Sequence, residues 1–157
     1  MRFGVFYELQ LPKPWGEGAE HQLIQEAIEQ VKLADDLGIH HAWAVEHHFL
    51  DEYSHCSASD VFLTALAAQT KQIRVGFGIR QVIPHYNPPA RTAESVAMLD
   101  LVSSGRVEFG IGESATRMEL RGFNISAREK RELALEAAEQ IANMMVMDPY
   151  PGYEGEG

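Results

Sequence analysis

A single cysteine, Cys56, occurs in 157 residues, so no disulfide can form within the chain. That usage fits a reducing cytoplasm. Cations are also short: 13 Lys and Arg stand against 23 Asp and Glu, a formal net charge of -10 with a pI near 5.1. Non-specific nucleic-acid binding and attachment to an anionic membrane both need a basic patch, so neither is expected. Lys71, Arg74, Arg80, Arg91 and Arg106 are scattered and form no basic stripe. No run approaches the roughly 20 apolar residues of a membrane span, and Met1-Arg2-Phe3-Gly4 does not open an apolar signal core. Low-complexity segments and residue-level repeats are missing as well. What is present is globular: 45% hydrophobic residues, 23% charged residues and a length of about one domain.

Apolar periodicity orders the chain as β-α-β-α-β-α-β-α. Strands are expected at residues 3–7, 42–45, 73–78 (extending toward Val82) and 107–111. Residues 8–18, with Pro12, Pro14, Gly16 and Gly18, read as a loop. Residues 21–37 place Leu23, Ile24, Ala27, Ile28, Val31, Ala34 and Leu37 on one helical face, and Gly38 suits the stop. Ser57 or Ser59 can cap a helix running through Ala68. Pro89 suits the first turn of a helix over 90–102, which Gly105 ends. Residues 112–125 read as a loop, and Ser126 with Glu129 reads as a capping box for a last helix to about Met147. Its stripe of Leu133, Ala137, Ile141, Met144 and Met145 reads as core packing.

Strands separated by amphipathic helices imply a parallel sheet with right-handed crossovers. Two α/β architectures share this order. A doubly wound, flavodoxin-like sheet would be complete at about this length. A (β/α)8 barrel needs about 250 residues, so this chain would supply its first four units. Both bind ligands at the carboxyl ends of the strands.

Glu46, His47 and His48 follow the second strand. A carboxylate beside two imidazoles has the chemistry for proton transfer near neutral pH. Strand alternation sends neighbours to opposite sides, so only one of the histidines need face a site. His47, His48, His55 and Cys56 are also zinc-type ligands, but their spacing fits no usual zinc pattern, and no metal is expected. His40 and His41 open the strand at its opposite end. Gly76 and Gly78 inside the third strand mark either a bulge or a close approach, or tight packing on a neighbour. Gly110-Ile111-Gly112-Glu113-Ser114-Ala115 matches the loose dinucleotide pattern GxGxxA, yet it does not open directly into an apolar helix. Its N–H groups, with the hydroxyls of Ser114 and Thr116, could meet an anion, which Glu113 would repel.

Taken in order, five strings resemble the bacterial luciferase-like family of flavin-dependent monooxygenases: Arg2-Phe3-Gly4-Val5-Phe6, Ala42-Trp43-Ala44-Val45-Glu46-His47-His48-Phe49, Ile73-Arg74-Val75-Gly76-Phe77-Gly78, Pro88-Pro89-Ala90-Arg91-Thr92-Ala93-Glu94 and the run from Leu99 to Gly112. The resemblance implies a (β/α)8 barrel that uses a reduced flavin, FMN or the deazaflavin F420, with O2 and a small organic substrate. It implies His47 as the general acid/base and Glu46 as a carboxylate lining the flavin pocket. Gly78 and Ile79 match a segment that packs on the isoalloxazine ring and can hold a non-proline cis peptide. Gly112 and Glu113 match positions near the flavin. Several members carry an arginine at the position of Glu113, where it reaches the flavin phosphate. Glutamate cannot make that contact, and Arg117 is the candidate substitute. Family members continue beyond the Tyr153-Glu154-Gly155 region, so residues 1–157 are expected to be the N-terminal portion of the barrel, with the C-terminal half absent and activity incomplete. A separate flavin reductase and a homodimer are the expected protein partners. The alternatives are an F420-dependent oxidoreductase of the same superfamily and a non-catalytic half-barrel assembly module, whose unpaired edge strands would attract a partner.

Overall fold

The computed structural model describes residues 1–155. Four parallel strands, β1 (Gly4–Tyr7), β2 (His41–Val45), β3 (Arg74–Gln81) and β4 (Val107–Gly112), lie side by side in chain order. They alternate with α1 (Ala19–Asp36), α2 (Ser59–Gln69), α3 (Pro89–Ser103), a short α4 (Arg117–Gly122) and α5 (Lys130–Val146). The long helices also pack in sequence, α1 on α2, α2 on α3 and α3 on α5. Strand order without a reversal, joined by crossovers of one hand, puts the helices on one face of the sheet. A doubly wound sheet reverses at a switch point and is covered on both faces. The flavodoxin-like alternative therefore falls, and the architecture is that of four successive units of a (β/α)8 barrel. No helix among the described residues is long and apolar enough to cross a membrane.

The two faces of the sheet have opposite characters. Ala42, Ala44, Val75 and Phe77 point toward the helices and join Leu63, Leu66, Val96 and Leu99 in the main core. A second cluster gathers Val82, Ile83, Ala93, Leu120, Ala137 and Ile141 where α5 meets α3 and the end of β3. Alternation turns Phe6, Trp43, Gly76 and Glu108 to the other face, where Phe6 stays 56% exposed. Gly76 is there for packing: an added Cβ would meet the Trp43 ring at 2.4 Å. Gly78 marks a bulge, and an added Cβ there would also meet the Phe6 ring, at 2.9 Å. Ala44 pairs with Phe77 and Val45 with Ile79, which skips Gly78, and the register against β4 shifts over the same stretch. The cis peptides among the described residues are both X-Pro bonds, Lys13-Pro14 and Asp148-Pro149. The Gly78-Ile79 bond, in the segment that can hold a non-proline cis peptide, is not among them; the bulge lies at this point.

Three helix starts differ from the sequence reading. Neither Ser57 nor Ser59 caps α2, whose N-cap is Ala58. Ser59 is buried, with its hydroxyl 3.5 Å from Arg80 Nη1. Helix α5 begins at Lys130, because residues 126–129 form a turn on the Ser126 carbonyl and the Ser126 hydroxyl accepts from Arg128 N–H. A side-chain N-cap forms at Thr116 instead. Thr116 Oγ1 accepts from Glu119 N–H at 3.2 Å and donates to Glu119 Oε2 at 2.6 Å. It starts α4 inside the segment that reads as a loop.

Asp35, 5% exposed near the end of α1, ties α1 to the start of β3. Its carboxylate accepts the backbone N–H groups of Lys71, Gln72 and Ile73 at 2.6, 2.9 and 2.6 Å. Burial pushes this carboxyl up, but the three N–H bonds and the nearby Arg106 outweigh it, and it ends below the usual aspartate value. Asp35→Ala strands those donors and is expected to lose about 1–3 kcal/mol in urea denaturation at neutral pH. A depressed carboxyl stabilises the fold above its unfolded pKa and loses that contribution as pH falls through the folded value. The gap between parent and variant should therefore shrink below about pH 4.

Candidate active site

The carboxyl ends of the strands bring together residues from five separate segments. Glu8 follows β1, and Glu46, His47 and His48 follow β2. Arg80 and Gln81 close β3, Glu113 and Ser114 follow β4, and Glu119 comes from α4. This is the end of the sheet where barrels of this type carry their chemistry.

Glu119 organises the first part of the site. It is fully buried, and its Oε1 lies 3.0 Å from both His47 Nδ1 and the His48 backbone nitrogen. Its Oε2 takes the Ser114 hydroxyl at 3.1 Å besides that of Thr116. Burial alone would raise its pKa. The Thr116 hydroxyl, the His48 N–H, the His47 bond and the His47 charge together bring it below the ordinary glutamate value. An ionised Glu119 can only accept, so His47 Nδ1 carries a proton and donates it. The remaining nitrogen, Nε2, faces Glu8 Oε2 at 3.5 Å. The His47 ring is further held by Tyr53, edge-on at 5.3 Å, and the His47 backbone N–H donates to the Cys56 carbonyl at 3.0 Å.

Glu46 organises the second part. It is 1% exposed. Oε1 meets His48 Nε2 at 2.9 Å and Asn87 Nδ2 at 2.8 Å, while Oε2 takes Gln81 N–H at 3.1 Å and lies 3.3 Å from Arg80 Nη1. Both oxygens are filled by protein groups, so Glu46 frames the pocket between β2, β3 and the loop before α3. His48 is packed among aromatics, parallel to Tyr86 at 5.6 Å and edge-on to Phe123 at 4.8 Å. Alternation thus divides the two histidines as expected, with His47 toward Glu8 and His48 into the wall.

The other residues singled out from the sequence lie on β3 and β4. Ile79 is 37% exposed just past the bulge. An added Cβ on Gly112 would meet Ile79 Cγ2 at 2.4 Å, and one on Gly110 would meet the carbonyl oxygens of Phe77 and Gly78 at 2.7 and 2.8 Å. Gly78, Gly110 and Gly112 therefore let their backbone pack closely on Phe6, on the β3 carbonyls and on Ile79. The exposed Phe6 and Ile79 are the apolar groups here that suit the face of a planar ring such as a flavin. The phosphate end of FMN is not matched in the same way. Glu113 lies 3.2 Å from Lys130 Nζ, which also donates to the Ser114 carbonyl at 2.7 Å, and Arg80 stands between Glu46 and Asp60. These two nearby cations are neutralised within the chain. Arg117 is exposed at the first position of α4.

The zinc-type grouping does not assemble: no cluster of three His, Cys, Asp or Glu among the described residues is placed to hold a metal. His55 turns to Glu20 at 2.9 Å. Cys56 is buried, and burial, followed by the charges of Glu46, Glu8 and Asp60, pushes its thiol up to about 12. Glu8, Asn87 and Glu119 escape the sequence reading. Glu119 did have a signal, because Thr116-x-x-Glu119 has the same capping-box form as Ser126-x-x-Glu129.

The chain matches the luciferase-like monooxygenase family over residues 1–157. It is 33% identical over 121 residues to the oxygenase component of the flavin-dependent trigonelline monooxygenase of Acinetobacter baylyi, covering 76% of this chain and 32% of that protein. Among solved structures it matches the monooxygenase RslO1 of Streptomyces bottropensis with a TM-score of 0.82 and 32% identity, over 92% of this chain and 43% of that one. The oxygenating constituent of 3,6-diketocamphane monooxygenase from Pseudomonas putida, solved in complex with FMN, shares the fold with a TM-score of 0.81 at 20% identity, over 92% of this chain and 39% of that one. The chain spans less than half the length of these relatives. With its strand order, its one-sided helices and a match along its whole length, it belongs to the luciferase-like monooxygenase family.

Proposed function

We propose that residues 1–157 form the N-terminal portion of a flavin-dependent monooxygenase that oxygenates a small organic substrate with reduced FMN and O2. The observation that carries this reading is His47, oriented through Nδ1 by an ionised, buried Glu119, with Nε2 left as the working nitrogen at the strand ends. When bound, the reduced flavin supplies the electrons with which O2 is activated. Gly78, Ile79, Gly110 and Gly112 would hold its ring, and Glu46 would keep the surrounding wall in place. His47 would hold or release a proton at Nε2. Tyr86, Phe123 and His48 pack together and keep water from that side of the site. The charge that meets the phosphate would come from outside the neutralised Glu113–Lys130 and Glu46–Arg80 pairs, with Arg117 as one source.

The same reading includes a cytoplasmic location, a separate flavin reductase as electron source and a homodimer. The lone cysteine, which has no partner in the chain for a disulfide, fits the first. Exposed Val61, Met98 and Leu101 on α2 and α3 offer an apolar surface for the last. The test is titration of the whole protein with FMN and with F420, followed by turnover under O2 with a substrate panel. FMN is expected to bind, and His47→Ala to keep binding while turnover falls about 100-fold or more. Binding of F420 alone would replace the monooxygenase by the deazaflavin oxidoreductase. Binding of neither would remove the flavin assignment, and full activity in His47→Ala would take His47 out of the reaction.

A further inference from the structure

We propose that Glu8 is the proton partner of His47, the two side chains forming a relay that passes one proton between solvent and His47 Nε2. The inference rests on the acid–base role proposed for His47 and extends it to a second residue. Glu8 is the first residue after β1, and its Oε2 stands 3.5 Å from His47 Nε2. That oxygen is buried and takes no hydrogen bond. Buried polar atoms normally have partners, so an unpartnered carboxylate oxygen aimed at a working imidazole calls for an explanation. A separation slightly beyond hydrogen-bond length is usual for catalytic contacts before a ligand binds.

The other groups around the ring leave Nε2 to Glu8. Glu119, from α4, occupies Nδ1; Tyr53, from the loop after β2, covers the ring edge; the Cys56 carbonyl takes only the backbone N–H. Glu46 is turned away with His48. The Glu8 side chain is 25% exposed against 14% for His47, so Glu8 stands on the solvent side of the pair.

The backbone fixes Glu8 in this position. Leu9, the next residue, is 4% exposed and holds a left-handed φ of 53°, a strained conformation for leucine that its surroundings must enforce. Its carbonyl accepts His55 N–H at 3.0 Å, and Leu11 N–H donates to the Glu52 carbonyl at 3.0 Å. These bonds join the loop after β1 to the loop after β2, which carries His47 at its start.

The relay is balanced without an oxidant or metal. The Nε2–H bond breaks as its proton passes to a bound acceptor, leaving a lone pair on Nε2. The Glu8 carboxylate takes a proton from water, hands it to that lone pair and is a carboxylate again. In the reverse direction Nε2 accepts from the ligand and Glu8 discharges to solvent.

The test follows the ring nitrogens of His47 by NMR in the 15N-histidine-labelled protein across pH, without flavin. In Glu8→Gln, the loss of Nε2–H is expected at lower pH than in the parent, because the neighbouring carboxylate is gone, while Nδ1 keeps its bond to Glu119. Superposable titrations would overturn the relay. If circular dichroism shows that the amide variant does not fold, Glu8→Ala is read in its place, with the same shift expected and the same result overturning it. Flavin binding separates the two readings. A shifted titration in a protein that binds no flavin would keep the relay and remove the oxygenase, whereas an unmoved titration in an active enzyme would remove the relay alone.

Discussion

Glu119→Ala is expected to lower the stability of the protein by about 3–5 kcal/mol, measured by urea or thermal unfolding near neutral pH. Four groups lose their acceptor together: the His47 ring, the His48 N–H and the hydroxyls of Ser114 and Thr116. Each is buried or partly buried, and water cannot readily take the place of a carboxylate that is itself inaccessible. A domain is stable by only about 5–15 kcal/mol, so the change removes a large part of the total. Glu119→Gln separates charge from shape. Its amide oxygen can still accept from His47 and His48 while its NH2 group donates to the two hydroxyls, so its loss should be smaller, about 1–2 kcal/mol. Because the Glu119 pKa is depressed in the fold, its charge stabilises above the ordinary glutamate range and ceases to do so as pH falls through the folded value. The alanine penalty should therefore be largest near neutrality and contract in acid. A penalty independent of pH would mean that packing, and not the ionised carboxylate, sets the effect.

Glu46→Ala should be comparably severe, about 3–5 kcal/mol, for a different reason. The Arg80 side chain is only 6% exposed, and Glu46 is its nearer carboxylate at 3.3 Å, with Asp60 at 3.5 Å. Removing Glu46 leaves a buried guanidinium with half its counter-charge and strands Gln81 N–H, one N–H of the Asn87 amide and the His48 ring. The diagnostic is a double-mutant cycle with Arg80→Met. If the uncompensated cation causes the loss, adding Arg80→Met to Glu46→Ala should recover about 1–3 kcal/mol. Additive losses would place the cost in the stranded hydrogen bonds.

The fold was more legible than the site. Strand and helix order follow from local periodicity, which each segment carries by itself. Even the choice between barrel and doubly wound sheet, which periodicity leaves open, came down to one non-local fact, the unreversed strand order. Helix starts were less legible, because a serine can be taken by another partner, as Ser59 is by Arg80, or turn its hydroxyl to a nearer N–H, as Ser126 does. Within the site, Glu46 and His47 stood out as chemistry-bearing residues at a strand end. Glu8 lay in a proline-rich loop and Glu119 in an apparent loop, and neither has a meaning until the sheet brings it to His47. Glycine was legible as a signal, but only the structure shows that Gly76 makes room for Trp43 and that Gly78 both lies at the bulge and makes room for Phe6.

The contact between His47 and Glu119 spans 72 residues of sequence, and that between Glu46 and Gln81 spans 35. Contacts of such separation require large loops to close, so they tend to form late and slowly in folding. No single βα unit can make the His47–Glu119 contact in advance. The state of the His47 ring is consequently a gauge of completion: a chain that lacks the β4–α4 segment, or has not yet docked it, holds an imidazole without its anchor.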